Sequence, residues 1–166
     1  IIGFGRIGQE VAKIALGIGM KVIASDKFIE MGDIKLDFYN DESFSFKVKT
    51  QSLNSLFKDS DFITLHIPSQ KDYIINKENI TLMKDGVGII NAARGGLINE
   101  SDLIEALDSK KVSFAAFDTF ENEPNPNIKL LMHPKISLSP HIGAATNQAQ
   151  DRIGEELANQ IINLFQ

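Results

Sequence analysis

Short apolar runs alternating with helix-spaced stretches constrain this chain more than any other feature of its sequence. The runs fall at residues 21–25, 62–65, 87–90, 113–117 and 136–138, with a further candidate at 46–50. Near-continuous apolar strands suit a parallel sheet covered on both faces, and parallel neighbours need a crossover that is usually a helix. The intervening stretches supply those crossovers. Val11, Ile14, Ala15 and Ile18 recur at spacings of three and four, which puts one stripe of a helix against a sheet, and Gly17 and Gly19 end it. Leu53, Leu56 and Phe57 predict a short helix, residues 76–83 a helical turn, and Asn99 a cap on a helix with the face Leu103, Ile104 and Leu107. Ile153, Leu157, Ile161 and Leu164 lie along one side of a final helix. Residues 27–44 mix charges without a clear period and are expected to be loop. This order predicts an α/β fold: a Rossmann-type doubly wound parallel sheet with helices on both faces.

Composition narrows the functional classes. The 166 residues suit one domain, and 43% apolar content is enough for an ordinary core. A net charge of −5 gives no electrostatic case for a nucleic acid or an anionic membrane as partner. No apolar run approaches the length of a membrane span and no export signal opens the chain, so a soluble, cytoplasmic protein is expected. The absence of cysteine excludes disulfides, thiolate metal ligands and a cysteine nucleophile. No zinc-helix spacing, G-x-S-x-G or P-loop motif occurs, which sets aside the hydrolase and P-loop NTPase readings and predicts no metal.

The first eight residues, IIGFGRIG, carry a G-x-G-x-x-G triplet that opens the first helix. Alone, such a triplet fits a nucleotide loop or a bare tight turn equally well. Here Asp26 follows about 20 residues later at the end of the next apolar run, as a dinucleotide site requires. Gly3 permits the turn, Gly5 lets backbone approach a pyrophosphate, and Gly8 lets the helix pack closely. The exposed amides of the helix start then favour the anion. Asp26 can accept hydrogen bonds from ribose hydroxyls and repels a 2′-phosphate, which favours NAD over NADP, although Lys27 beside it tempers this. The alternative for Asp26 is a solvated carboxylate at a strand end.

In an open parallel sheet, ligands bind at the carboxyl ends of the strands. The predicted ends bring Gly3, Asp26, His66, Arg94, Asp118 and His141 to that edge, whereas His133 precedes its strand and is expected in a surface loop at the opposite edge. Arg94 is one of three arginines against fourteen lysines and stands beside Ala93 and two glycines. It can bind a carboxylate bidentately and polarise a neighbouring carbonyl, or simply pair with a surface acid at a helix entry. Glu121 or Glu123, in a proline-bounded loop, can orient an imidazole through its far nitrogen, or both can be solvated loop acids.

In order along the chain, Gly3-Phe4-Gly5-Arg6-Ile7-Gly8, Asp26, Leu65-His66-Ile67-Pro68, Met83-Lys84-Asp85-Gly86, Ile90-Asn91-Ala92-Ala93-Arg94-Gly95-Gly96, the run 117–124 and Ser139-Pro140-His141-Ile142-Gly143 resemble the nucleotide-binding domain of the D-isomer-specific 2-hydroxyacid dehydrogenases. The resemblance spans essentially the whole chain. It implies NAD as cofactor and a small 2-hydroxy or 2-keto acid as substrate. Arg94 matches the arginine that binds substrate carboxylate and carbonyl, Glu123 the glutamate before proline, and His141 the histidine after Ser-Pro. Asp118 matches the aspartate that contacts the nicotinamide carboxamide. Cofactor contacts are implied at Gly3, Gly5, Arg6, Ile7, Gly8, Asp26, His66, Pro68, Ala93, Arg94, Asp118, His141 and Gly143. The implied mechanism has His141 take the hydroxyl proton as hydride leaves the substrate C2, with Glu123 orienting His141. A glutamate at 123 disfavours the formate dehydrogenase branch, which carries glutamine there.

Residues 124–132 and 150–154 are most similar to D-3-phosphoglycerate dehydrogenases, which act in serine biosynthesis. Hydroxypyruvate, glyoxylate or D-lactate reduction, or an NAD-sensing corepressor-like module, are the alternatives. Ser69-Gln70-Lys71-Asp72 departs from the leucine and threonines common after Pro68. The family's second domain is built from segments outside residues 1–166, so the chain is expected to be an NAD-binding domain truncated at its first strand. Homodimers formed through this domain are the family's common state.

Overall fold

The computed structural model describes residues 1–165. The elements run α1 (Arg6–Gly17), β1 (Met31–Asp37), β2 (Ser43–Lys49), α2 (Leu53–Asp59), β3 (Phe62–Leu65), α3 (Lys77–Leu82), β4 (Val87–Asn91), α4 (Glu100–Asp108), β5 (Val112–Phe117), α5 (Ile128–Leu131), β6 (Ile136–Leu138) and α6 (Asn147–Leu164). The last four strands form a parallel sheet in the order β3-β4-β5-β6. Beyond β3, Ile2 bridges in parallel to Leu65 on one side and to Ser25 on the other. The expected strand at 21–25 therefore pairs only over its last residues, where Ile23 and Ser25 hydrogen-bond to Ile1 and Gly3.

The start of the chain lies between the Ser25 segment and β3, so the strand order reverses at Ile2. Such a switch point leaves a crevice between two loops that diverge to opposite faces. Here those loops are Gly3–Gly8 and His66–Pro68. Alternation along the strands explains the core. Ile63, Leu65, Val87, Ile89, Ala115 and Phe117 point to one face and are essentially inaccessible, packed against Leu56, Phe57, Ile80, Leu103 and Leu107 of α2, α3 and α4. A second cluster joins Phe4, Ala12 of α1, Ala24 and Ile34. Helix starts are fixed by the residues that the sequence offers: Ser52, Asn76, Asn99 and Thr146 each accept a first-turn amide, an interaction worth about 1 kcal/mol per cap.

Two features differ from the sequence-based expectation, and the final helix adds a third that it left open. Residues 27–44 are not loop throughout, because β1 and β2 form an antiparallel hairpin in register Ile34↔Phe46 and Gly32↔Val48. The segments MGDIKLD and SFSFKVK alternate apolar and polar residues with period two, which is the pattern of a strand covered on one face only. The hairpin covers α1, with Ile34 buried beside Phe4 and Gly32 leaving room for the Phe4 ring. The final helix forms, yet its apolar stripe is not buried: Ile153 and Leu157 are 61% and 55% exposed. His133 does lie at the opposite edge, but its side chain is only 9% exposed, with Nδ1 accepting the Lys135 amide and Nε2 3.4 Å from Asp108.

Candidate active site

The glycine loop assigns a separate task to each glycine. Gly3 turns with φ of 91°, and a Cβ there would meet the His66 carbonyl at 2.4 Å, so it buys room for the neighbouring loop as well as the turn. Gly8 lies against Gly3, where an added Cβ would stand 2.0 Å from the Gly3 carbonyl oxygen. Gly5 has nothing within 4 Å of its would-be Cβ. Its open side faces the start of α1, which has no side-chain cap and no acid in its first turn. An uncapped, uncrowded helix start is what a pyrophosphate needs, so these residues fit the diphosphate of a dinucleotide. Arg6 and Ile7 are exposed at this end, and Arg6 lies 3.6 Å from Glu156 of α6 in a solvated pair.

Asp26 is neither a free ribose acceptor nor a solvated strand-end acid. Its Oδ2 accepts the Phe4 amide at 2.7 Å, and Oδ1 accepts those of Phe28 and Ile29. Burial alone would raise its pKa, but the three amides hold the carboxyl below its ordinary value. A carboxylate has about four acceptor positions. Asp26 therefore ties the glycine loop to the next segment and keeps one position for a hydroxyl. His66, at the end of β3, is half-buried with Nε2 3.0 Å from Thr64 Oγ1, and burial lowers its pKa. Pro68 follows it on the exposed side of the same loop.

Three turns at the ends of β4, β5 and β6 carry the remaining candidates, and each is pinned by a buried polar group. Asn91, 1% exposed, donates to the Arg94 carbonyl and accepts the Ala93 amide, closing the turn that presents Arg94. The Arg94 guanidinium pairs with no acid among the described residues; its Nη1 donates to the Ala93 carbonyl. The surface-acid alternative for Arg94 therefore falls away. Asp118, 6% exposed, accepts from Ser139 Oγ at 2.6 Å, from the Ile142 amide at 2.9 Å and from the Gly143 amide at 2.7 Å. Burial pushes its carboxyl up, and these bonds outweigh that and hold it below the ordinary range. The turn they define places His141 at φ of 55°, a left-handed conformation that a non-glycine residue adopts only under local constraint.

Glu123, not Glu121, meets the imidazole: its Oε2 lies 2.8 Å from His141 Nδ1, while Oε1 accepts the Phe120 amide. The His141 contact first, and the Phe120 amide second, hold the Glu123 carboxyl below its ordinary value. An ionised carboxylate only accepts, so the Nδ1 proton belongs to His141, and in the neutral ring Nε2 is then the nitrogen with the lone pair. Glu121 turns instead toward Glu100 and Tyr73, and its charge raises the Tyr73 phenol.

Arg94, Glu123 and His141 share a cavity of about 430 Å³ with Ser69, Tyr73, Gly95, Gly96, Phe120, Glu121 and Asn122. A second, apolar cavity of about 480 Å³ flanks the same pair, lined by Pro124, Pro126, Leu131, Leu138 and Pro140. The sequence did not single out Ser69, Tyr73, Asn91 or Ser139. Asn91 and Ser139 had a usable signal, since each is a side-chain donor next to a strand end where a turn needs a partner.

A guanidinium, an imidazole with a free lone pair and a carboxylate behind it, beside a dinucleotide loop, can bind an acid and move a proton. A family model for the D-isomer specific 2-hydroxyacid dehydrogenase NAD binding domain matches residues 1–143. This chain belongs to that family. Hydroxypyruvate reductase of Thermotoga maritima is 46% identical over 97% of the chain, which spans 50% of that protein. D-3-phosphoglycerate dehydrogenase of Archaeoglobus fulgidus is 38% identical over 99% of the chain and 30% of its own length. The crystal structure of Aquifex aeolicus D-lactate dehydrogenase complexed with NAD and lactic acid is 31% identical, with a TM-score of 0.76 over 99% of the chain and 51% of that structure. The chain thus spans about half or less of the length of these members of the D-2-hydroxyacid dehydrogenase family. No helix among the described residues is long and apolar enough to cross a membrane.

Proposed function

We propose that this chain is the NAD-binding domain of an enzyme that transfers hydride between a D-2-hydroxy acid and NAD, with substrate-binding segments supplied by sequence outside it. The observation that carries the proposal is the 2.8 Å contact between Glu123 and His141 on the cavity that also holds Arg94. Arg94 would clamp the substrate carboxylate and polarise the C2 oxygen. His141 Nε2 would take the hydroxyl proton as the C2–H bond breaks, and would return it to the carbonyl oxygen in reduction. Glu123 holds the imidazole in the tautomer this requires and stabilises the imidazolium that forms. NAD supplies the hydride acceptor when bound. Gly3, Gly5 and Gly8 would seat its diphosphate and Asp26 a ribose hydroxyl, with Arg6, Ile7, His66, Pro68, Ala93, Asp118 and Gly143 around it.

The substrate proposed first is 3-phosphoglycerate, supported by the sequence resemblance and the Archaeoglobus relative. Hydroxypyruvate is the second, favoured by the higher identity of the Thermotoga relative. Steady-state assays of the complete protein with 3-phosphoglycerate, hydroxypyruvate, glyoxylate and D-lactate separate them by kcat/KM. His141→Ala is expected to lower kcat for the true substrate by roughly 10²- to 10⁴-fold, the usual contribution of a general acid–base. Near-normal turnover in that variant would remove His141 from the mechanism.

A further inference from the structure

We propose that Glu100 is a positioning residue for the Glu123–His141 pair: its buried side-chain oxygen holds the Glu121 amide and thereby fixes the turn that carries Glu123. This rests on the dehydrogenase reading only for its effect on turnover.

Glu100 is the first residue of α4 and is only 3% exposed. A carboxyl group is rarely buried without a partner, because removing it from water is costly. Its Oε1 accepts the Glu121 amide at 2.8 Å, a contact between residues 21 apart in sequence. The adjacent peptide group leads directly to the site. The Phe120 amide donates to Glu123 Oε1, and Glu123 Oε2 contacts His141 Nδ1. Residues 120–123 therefore form one small turn, closed on itself by the Phe120–Glu123 bond and further constrained by Asn122 at φ of 56°. The Phe120 ring is buried in the core against Phe117, and two contacts at the backbone dock the turn on the rest of the domain. One is the close approach of the Phe120 carbonyl to Gly95, where a Cβ would find no room. The other is Glu100.

Glu100 also joins the two walls of the cavity. It follows Arg94 through the buried residues Leu97 and Ile98 and the cap Asn99, so its backbone belongs to the wall that presents Arg94. Its side chain reaches the wall that presents Glu123. Burial raises the Glu100 carboxyl pKa, the Glu121 amide opposes that, and the Glu121 charge adds to it. A neutral side chain that keeps the oxygen is therefore a fair substitute, which makes Glu100→Gln the conservative control. Glu100→Met keeps bulk and removes the oxygen acceptor in a form that a buried site tolerates better than Glu100→Ala.

The test is a carbon-13 titration of the Glu123 carboxyl by NMR in this chain, unmodified and with Glu100→Gln, Glu100→Met and Glu100→Ala. Glu123 should titrate below its ordinary value in the unmodified and Gln forms, and move up toward it in the Met and Ala forms as the pair with His141 loosens. In the complete enzyme, Glu100→Met should lower kcat roughly tenfold or more, because small displacements of a catalytic group are costly. KM for NADH should stay unchanged, and Glu100→Gln should restore turnover. A folded Glu100→Met chain whose Glu123 titrates as in the unmodified protein would overturn the proposal. If the dehydrogenase reading alone is wrong, no form oxidises NADH with any 2-keto acid, yet the Glu123 shift still appears, and the positioning role stands without the reaction.

Discussion

Replacing Asp118 by asparagine should release the turn that carries His141 while leaving the sheet intact. The carboxylate accepts three hydrogen bonds, from Ser139 Oγ, the Ile142 amide and the Gly143 amide. In Asp118→Asn the amide oxygen can keep the first two, but the new NH₂ then faces the Gly143 N–H, donor against donor. One charge-assisted bond, worth about 1.5–3 kcal/mol, is lost, and a half-buried donor is left unpaired at a further cost of about 1 kcal/mol or more. The sum is roughly 3 kcal/mol. Little of it should appear in global unfolding, because only α6 follows this turn and no side chain of α6 is buried. The turn can open by itself, so its local free energy is what falls. Hydrogen exchange at the Ile142 and Gly143 amides reads that quantity directly. At about 1.4 kcal/mol per decade, protection there should drop roughly 100-fold, while amides of β4 and β5 exchange as before. Unchanged protection at Ile142 and Gly143 would show that Asp118 does not hold the turn. A uniform loss across the sheet would show that the turn and the core are one cooperative unit.

Two glycines of the first loop should separate binding from stability. Gly5→Val puts its side chain into open space, so the fold should survive within about 1 kcal/mol, while NADH affinity measured by fluorescence falls at least about tenfold. Gly8→Ala drives a methyl against the Gly3 carbonyl and should cost roughly 1–3 kcal/mol in urea unfolding, the usual penalty of overpacking. Asp118 and Glu123 both have depressed pKa values, so the stability they contribute is complete above the ordinary carboxylate range near pH 4 and is lost as pH falls through their folded values. Protection at Ile142 should accordingly hold from neutrality to about pH 4 and fall below it, and in Asp118→Asn that acid-side fall should shrink. Glu121→Gln should bring the Tyr73 phenol down toward its ordinary pKa in ultraviolet titrations, since the Glu121 charge is the leading cause of its elevation.

Most of the sheet was legible because its strands obey one rule. Runs such as Phe62–Leu65 and Val87–Asn91 are largely covered by helices and therefore read as near-continuously apolar. The candidate at 46–50 caught the end of β2, but the rest of the hairpin was missed because β1 and β2 obey another rule: most of their residues are exposed, and charges at Asp33, Lys35 and Lys47 masked an alternation that Ile34, Leu36, Phe44 and Phe46 spell out. The site was legible through its strand ends, since a parallel sheet sends every such end to one edge. That rule brought Arg94 and His141 together and set His133 apart. Proximity in sequence could not choose between Glu121 and Glu123, because the choice depends on how a four-residue turn closes on itself. Two anchors of the site, Asp118 and Glu100, carry their function in contacts 21 to 25 residues away in sequence, and only the folded chain displays those.

The central claim is that this domain is built around NAD. Fluorescence titration of the chain with NADH and with NADPH tests it most directly. Saturable binding of NADH is expected, with weaker binding of NADPH because the Asp26 carboxylate would repel a 2′-phosphate, and with both affinities at least about tenfold lower in Gly5→Val. No saturable NADH binding by a folded chain, or binding that survives Gly5→Val undiminished, would contradict it.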